Sequence, residues 1–185
     1  MIRRAEFSPC RTYRYTLWRE IEGWQYKGYV LYIMCNPSTV DENVEDPTVA
    51  KCLHWALKWG YGGICVANIF AFRSTDPKCM KAAADPIGPE NDAWLQKLSD
   101  EAKFIIVAWG KVGDFKGRPA QVMEYLPREK LHCLKVTKDG QPQHPLYIKN
   151  DITPMPYGAI NDNERDGLDD SRKLTEGVSL HLPAM

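Results

Sequence analysis

Several residues able to do chemistry sit where apolar runs are broken or end. Asn36 interrupts IMCNPST (residues 33–39), Asn68 interrupts VANIF (66–70), Trp109 and Gly110 close IIVAWG (105–110), and His144 lies in QHPL (143–146). An asparagine amide both donates and accepts, so it suits a mixed hydrogen-bonding edge or the orientation of a water. It does not titrate in a useful range, which excludes Asn36 as a general base. A histidine titrates near neutrality and can stabilise a developing anion. Apolar runs that stop at such residues read as buried parallel strands that carry functional groups to their carboxyl ends.

Each residue also has a structural reading. Asn36 before Pro37 can begin a turn. Asn68 within a strand can satisfy neighbouring backbone, since an unpaired buried amide costs ~1–3 kcal/mol. His144 can be a surface loop residue, and His54, His132 and His181 read as core-edge or exposed. Arg73 can pair with Asp76 at a helix start or meet a phosphate. In the acidic stretch DENVEDPT, Asp41 and Asp46 fit a magnesium role, with helix capping favoured for Asp46.

The elements that would position these groups follow from periodicity. Residues 10–19 alternate bulky and polar side chains, as a half-exposed edge strand does. Residues 29–35 form a continuous apolar run. Asp46-Pro47 then gives a helix N-cap and first turn, and Gly60 stops the apolar i, i+3, i+4 pattern. With the run at 64–70 this makes a βαβ unit of parallel strands. Helices are expected at 78–83, 88–102 and 119–125, and strands at 104–109 and 131–136. The whole is an α/β fold: three layers, α/β/α, around a mainly parallel four-stranded sheet. One domain spans 1–150, and 151–185 is expected as a loosely attached or disordered acidic tail.

Composition narrows the classes. The chain has 185 residues, 44% of them hydrophobic, and no apolar stretch long enough for a membrane span or secretory leader. Its six cysteines show no C-x-x-C pair and four lie in apolar runs, the pattern of buried free thiols rather than disulfides or a metal site. The expectation is therefore a cytoplasmic protein with no membrane, metal or cofactor. Residues 151–185 hold seven acids and three bases, leaving a net +4 on residues 1–150. That excess is too small for affinity built on many phosphate contacts, though a local patch can still serve.

The segments FSPC, RTYRY, NPSTVDENVEDPT, WGYGG, NIFAFRSTDP, AADPIGPEND, AWG and TKDGQPQHPLY resemble a bacterial and phage family filed as domain of unknown function 1643, over roughly residues 7–150. The order NP, apolar-Asn, apolar-WG, HP also resembles the uracil-DNA glycosylase superfamily. That resemblance implies a catalytic pair, Asn36 to orient water and His144 to stabilise charge on a departing base. It further implies substrate contacts from Asn68 on a pyrimidine edge and from Trp109 and Gly110 at the pocket floor. No residue matches the aromatic that stacks on a flipped base in that superfamily, and Phe70, Phe72 or Trp109 would have to substitute for it. Because Asn36 is no general base, rapid uracil excision is not expected; HPLY in place of HPSP removes a phosphate-binding serine and a duplex-wedging loop, so duplex penetration is not expected either. The implied function is a nucleobase-handling protein acting on a normal or modified base in DNA or on a nucleotide. The alternatives are a non-catalytic reader of a modified base or nucleotide, and a phage base-modification enzyme. DNA or a nucleotide is the implied partner, and the sequence sets no oligomeric state.

Overall fold

The computed structural model describes residues 1–39, 44 and 46–158. Asp41, His181 and the expected tail from residue 159 onward lie outside the described residues. The elements run β1 (Ile2–Phe7), β2 (Arg14–Glu20), β3 (Tyr29–Met34), α1 (Pro47–Lys58), β4 (Gly63–Asn68), α2 (Pro77–Ala82), α3 (Asn91–Glu101), β5 (Phe104–Val107), α4 (Arg118–Met123), β6 (Leu131–Cys133) and β7 (Met155–Pro156). Four expected strands are present and mutually parallel, in the order β4-β3-β5-β6.

The sheet is nevertheless larger and more mixed than a four-stranded parallel one. Seven strands lie in the order β1-β2-β4-β3-β5-β6-β7, with β1, β2 and β7 joined by antiparallel pairings. β2 is not the half-exposed edge expected from its alternation. It runs between β1 and β4, and residues 14–19 are all buried, including Arg14 and Arg19. Its second neighbour, β1, was hidden by its charge, because IRRAEF carries no apolar alternation. The Arg4 guanidinium instead lies 4.1 Å from the centre of the Trp18 ring and pairs with Glu20 at 3.1 Å. A cation over an aromatic face supplies the contact that an apolar side chain otherwise would.

The two faces are covered by different helices. On one face α1 places Val49, Cys52, Trp55 and Ala56 against Val30, Tyr32, Ile64, Val66, Ile106 and Ala108. On the other, Met80 of α2, Leu95 and Leu98 of α3 and Val122 of α4 pack on Leu31, Ile33, Cys65, Ala67, Ile105 and Val107. The helix starts follow the local chemistry. The Asp46 carboxylate accepts from the Thr48 and Val49 amides at 2.7 and 3.2 Å, which is the capping role favoured for it. Asp76 accepts from the Lys78 amide at 2.8 Å and caps α2, followed by Pro77. Cys35, Cys52, Cys65 and Cys133 are buried and Cys10 and Cys79 exposed, with all six thiols free. Burial drives the Cys52 and Cys65 thiols well above their usual range.

The sheet continues past residue 150. Met155 and Pro156 pair with Cys133 and His132, the Tyr157 amide donates to the Leu131 carbonyl at 2.9 Å, and the Tyr157 ring meets Trp109 edge-on. No helix among the described residues is long and apolar enough to cross a membrane.

Candidate functional site

The parallel strands all end on one edge, and three connections are hydrogen-bonded to one another there. The Ile69 and Phe70 amides donate to the Met34 and Cys35 carbonyls at 2.9 and 3.0 Å, so the segments after β3 and β4 stay side by side. On the other flank of β3, the Ala108 amide donates to the Ile33 carbonyl at 2.7 Å. The Gly110 amide then donates to the Pro142 carbonyl at 2.7 Å, which carries the β5 edge to the His144 loop.

Asn68 is the last residue of β4. It alternates with Ile64 and Val66, so its side chain lies on the α1 face. It is only 3% exposed; no described group bonds its amide, and the fully buried side-chain atoms without a partner are instead Tyr15 Oη, Arg73 Nε and Asn91 Oδ1 among the described residues. Its backbone, by contrast, is clamped. The Asn91 side chain donates to the Asn68 and Ile69 carbonyls at 3.0 and 3.1 Å, and Arg118 Nε donates to the Ile69 carbonyl at 2.8 Å. Arg118 also pairs with Asp92, which accepts from the Tyr125 hydroxyl at 2.9 Å. The bonds from Arg118 and Tyr125 hold the Asp92 carboxyl below its usual range against the opposing effect of desolvation. Asn91 and Arg118, 1% and 2% exposed, were not visible in the sequence as site residues. Their partner is a carbonyl, which carries no residue signature, and Arg118 lies 49 positions from it.

His144 lies beside Gly110, where a Cβ would come within 3.8 Å of the histidine Cβ. Gly110 has φ +64°, in the region that favours glycine, so a side chain there would be strained although it would meet His144 only at ordinary contact distance. The following single-turn helix (Pro145–Tyr147) is fixed to α1. Lys51 donates to the Leu146 and Ile148 carbonyls, and Trp55 Nε1 donates to the Asn150 carbonyl at 2.7 Å. The Leu146 amide donates to His144 Nδ1 at 3.3 Å, so in the neutral ring the proton sits on Nε2. Burial lowers the His144 pKa below its ordinary 6.5, with Asp46 opposing more weakly. The imidazole is thereby set up as a neutral Nε2–H donor at physiological pH.

This sets a sign for pH dependence. The unfolded chain takes up the His144 proton at higher pH than the folded chain, so the stability linked to neutral His144 is lost as pH falls below about 6.5. An NMR titration of the His144 ring is expected to give a midpoint under 6.5. A midpoint above that value would mean that Asp46 outweighs burial.

Asn36 lies two residues beyond β3. Its amide donates to the Ser74 carbonyl at 2.7 Å and the Pro37 carbonyl at 3.3 Å, which leaves the carbonyl oxygen as the end able to orient a water. Arg73 does not pair with Asp76. Its guanidinium donates to the Arg11 and Thr39 carbonyls, both at 3.0 Å, and lies 5.0 Å from the Phe7 ring centre, tying three connections together. Phe70 and Trp109 belong to the core on the face opposite α1. Phe70 packs on Phe115, and Trp109 Nε1 donates to Gln141 Oε1 at 2.9 Å. Phe72 is partly buried against the same core. The expected residues therefore divide. Asn68 lies on the α1 side, Gly110 adjoins His144 in a loop anchored to α1, and Asn36 follows β3 at the same strand ends, while Phe70 and Trp109 belong to the core on the other face.

A groove of about 270 Å³ runs along α1 past Val49, Leu53, His54 and Leu57, and shares only Asp46 with this edge. Among the described residues, no group of three His, Cys, Asp or Glu side chains is placed to hold a metal ion. No curated protein and no solved structure matches the chain. The family model described as "Protein of unknown function (DUF1643)" matches residues 14–146, which takes in every strand from β2 to β6, Asn68, Gly110 and His144, and the chain belongs to that family.

Proposed function

We propose that the protein handles a nucleobase, in DNA or as a nucleotide, in a uracil-DNA glycosylase-like site formed by Asn36, Asn68, Gly110 and His144. The observation that carries this reading is the Asn68 amide, which no described group bonds at its strand end while its backbone is held by Asn91 and Arg118. Fixing the backbone and leaving the amide unbonded pre-organises a donor and an acceptor for a ligand edge. His144 adds a neutral N–H donor of the kind that stabilises negative charge on a departing base. Asn36 adds an oxygen that orients a water without deprotonating it.

The same lack of a general base favours a second reading, in which the site recognises a modified base or nucleotide without breaking a bond. One titration separates the two. The full chain is mixed with free bases, nucleotides and short single- and double-stranded oligonucleotides, while binding and abasic product are measured. Abasic product supports excision, and binding without product supports the non-catalytic reader. Absence of binding to every probe overturns both.

Asn68→Ala tests the carrying observation. Ligand affinity is expected to fall by ~1–3 kcal/mol, the usual discrimination of a good base-edge pair. Thermal stability should be unchanged or raised, because the amide has no protein partner to lose. A fall in stability with affinity intact, measured by calorimetry on the parent chain and the variant, would make Asn68 structural.

A further inference from the structure

We propose that Tyr147 is a stacking platform for the base next to the one held at His144, and that the natural ligand is a single-stranded nucleic acid. The inference rests on the nucleobase reading above and extends it to the ligand's length and strandedness. Tyr147 is 75% exposed and Leu146 44%, side by side on the turn that follows His144. Their backbone is not loose. The turn is closed by amide bonds from Tyr147 to the His144 carbonyl and from Ile148 to the Pro145 carbonyl, at 3.3 and 3.1 Å. Lys51 and Trp55 of α1 hold the same segment, and Ile148 is buried in the α1-side core. A rigid backbone thus presents two apolar side chains to solvent, so little ordering entropy is left to lose when a ligand covers them.

The spacing fits neighbouring bases. The Tyr147 and His144 ring centres are 6.1 Å apart with their planes tilted by 56°, so consecutive bases of one strand could reach both only when splayed apart, as unpaired strands allow and a duplex does not. An exposed tyrosine face takes a base from any unpaired strand, since stacking does not depend on base identity. Charge argues against a duplex. The first 150 residues carry only +4, and Asp46 sits at the α1 start next to this turn, which opposes a dense phosphate array. Lys149, exposed two residues beyond Tyr147, can offset a single phosphate.

The test compares ligand lengths on the full chain. Calorimetry measures binding of the deoxynucleoside monophosphates of A, C, G, T and U, and of trinucleotides carrying each base between two thymines. Tyr147→Ala is expected to weaken trinucleotide binding by about 5- to 100-fold and leave mononucleotide binding and Tm unchanged. Tyr147→Phe should restore trinucleotide binding, because the ring face and not the hydroxyl makes the stack. Unchanged trinucleotide affinity in Tyr147→Ala overturns the proposal. So does an equal loss for both ligand lengths, which would place Tyr147 on the handled base itself, or a failure of phenylalanine to rescue. If the parent chain binds neither length, the nucleobase reading falls and this proposal falls with it. Mononucleotide binding that persists while the trinucleotide arm fails overturns the stacking role alone.

Discussion

Replacing His144 with alanine should lower the rate of abasic product formation at least ~100-fold, the effect of losing one preorganised donor to a developing anion, while binding is retained. The expectation follows from the tautomer. With Nδ1 accepting from the Leu146 amide and burial disfavouring the charged ring, the neutral imidazole carries its proton on Nε2. The fold should tolerate the change. The Leu146 amide loses one acceptor, worth ~1 kcal/mol, and the turn keeps its anchors in Lys51 and Trp55. Single-turnover assays of both proteins on the best-bound oligonucleotide decide the matter. Equal rates would remove His144 from the mechanism. Tight binding with no turnover in the parent protein would favour the non-catalytic reader.

Trp109→Ala is expected to cost ~3–5 kcal/mol of folding stability, the usual penalty for emptying a buried tryptophan site. Trp109 is 1% exposed, lies in the core opposite α1, meets Tyr157 edge-on and donates to Gln141. Trp109→Phe should cost less, since it keeps most of the ring volume and loses chiefly the bond to Gln141. At a temperature where both variants are folded, ligand affinity should match the parent within about twofold, because the indole lies behind the sheet from Asn68 and His144. Denaturant unfolding and calorimetry separate the two effects. A stable Trp109→Ala variant with lost affinity would return the indole to the binding surface.

Much of the frame was legible because its signals are local. Residues 29–35 and 64–70 are apolar on both alternating faces, as buried parallel strands must be, and they became β3 and β4. Asp46-Pro47 and Asp76-Pro77 announced α1 and α2, because an N-cap and a following proline act within one turn. β1 was not legible. Its arginines break any apolar alternation, and it is the Trp18 ring on the neighbouring strand that gives Arg4 a packing partner. β7 was missed for a related reason. Two residues have no periodicity, and Met155-Pro156 is a strand only because β6 offers an open edge.

The sequence by itself determined which residues end strands, and therefore that Asn36, Asn68, Trp109 and Gly110 gather near one edge of a sheet. It also determined that Asn36 is not a base, since that is a property of the amide. Tertiary structure alone decided which of these residues share a face. Period-2 alternation ties Asn68 to Val66 and Trp109 to Val107 within each strand, but the two strands flank β3 and are related only through its register, Met34 opposite Asn68 and Ile33 opposite Val107. That register and the side chosen by α1 put Asn68 and His144 on one face and the Trp109 indole on the other. Likewise, the Arg118 bond to the Ile69 carbonyl and the Lys51 bonds to the His144 turn join residues tens of positions apart, through backbone acceptors that no side-chain pattern marks.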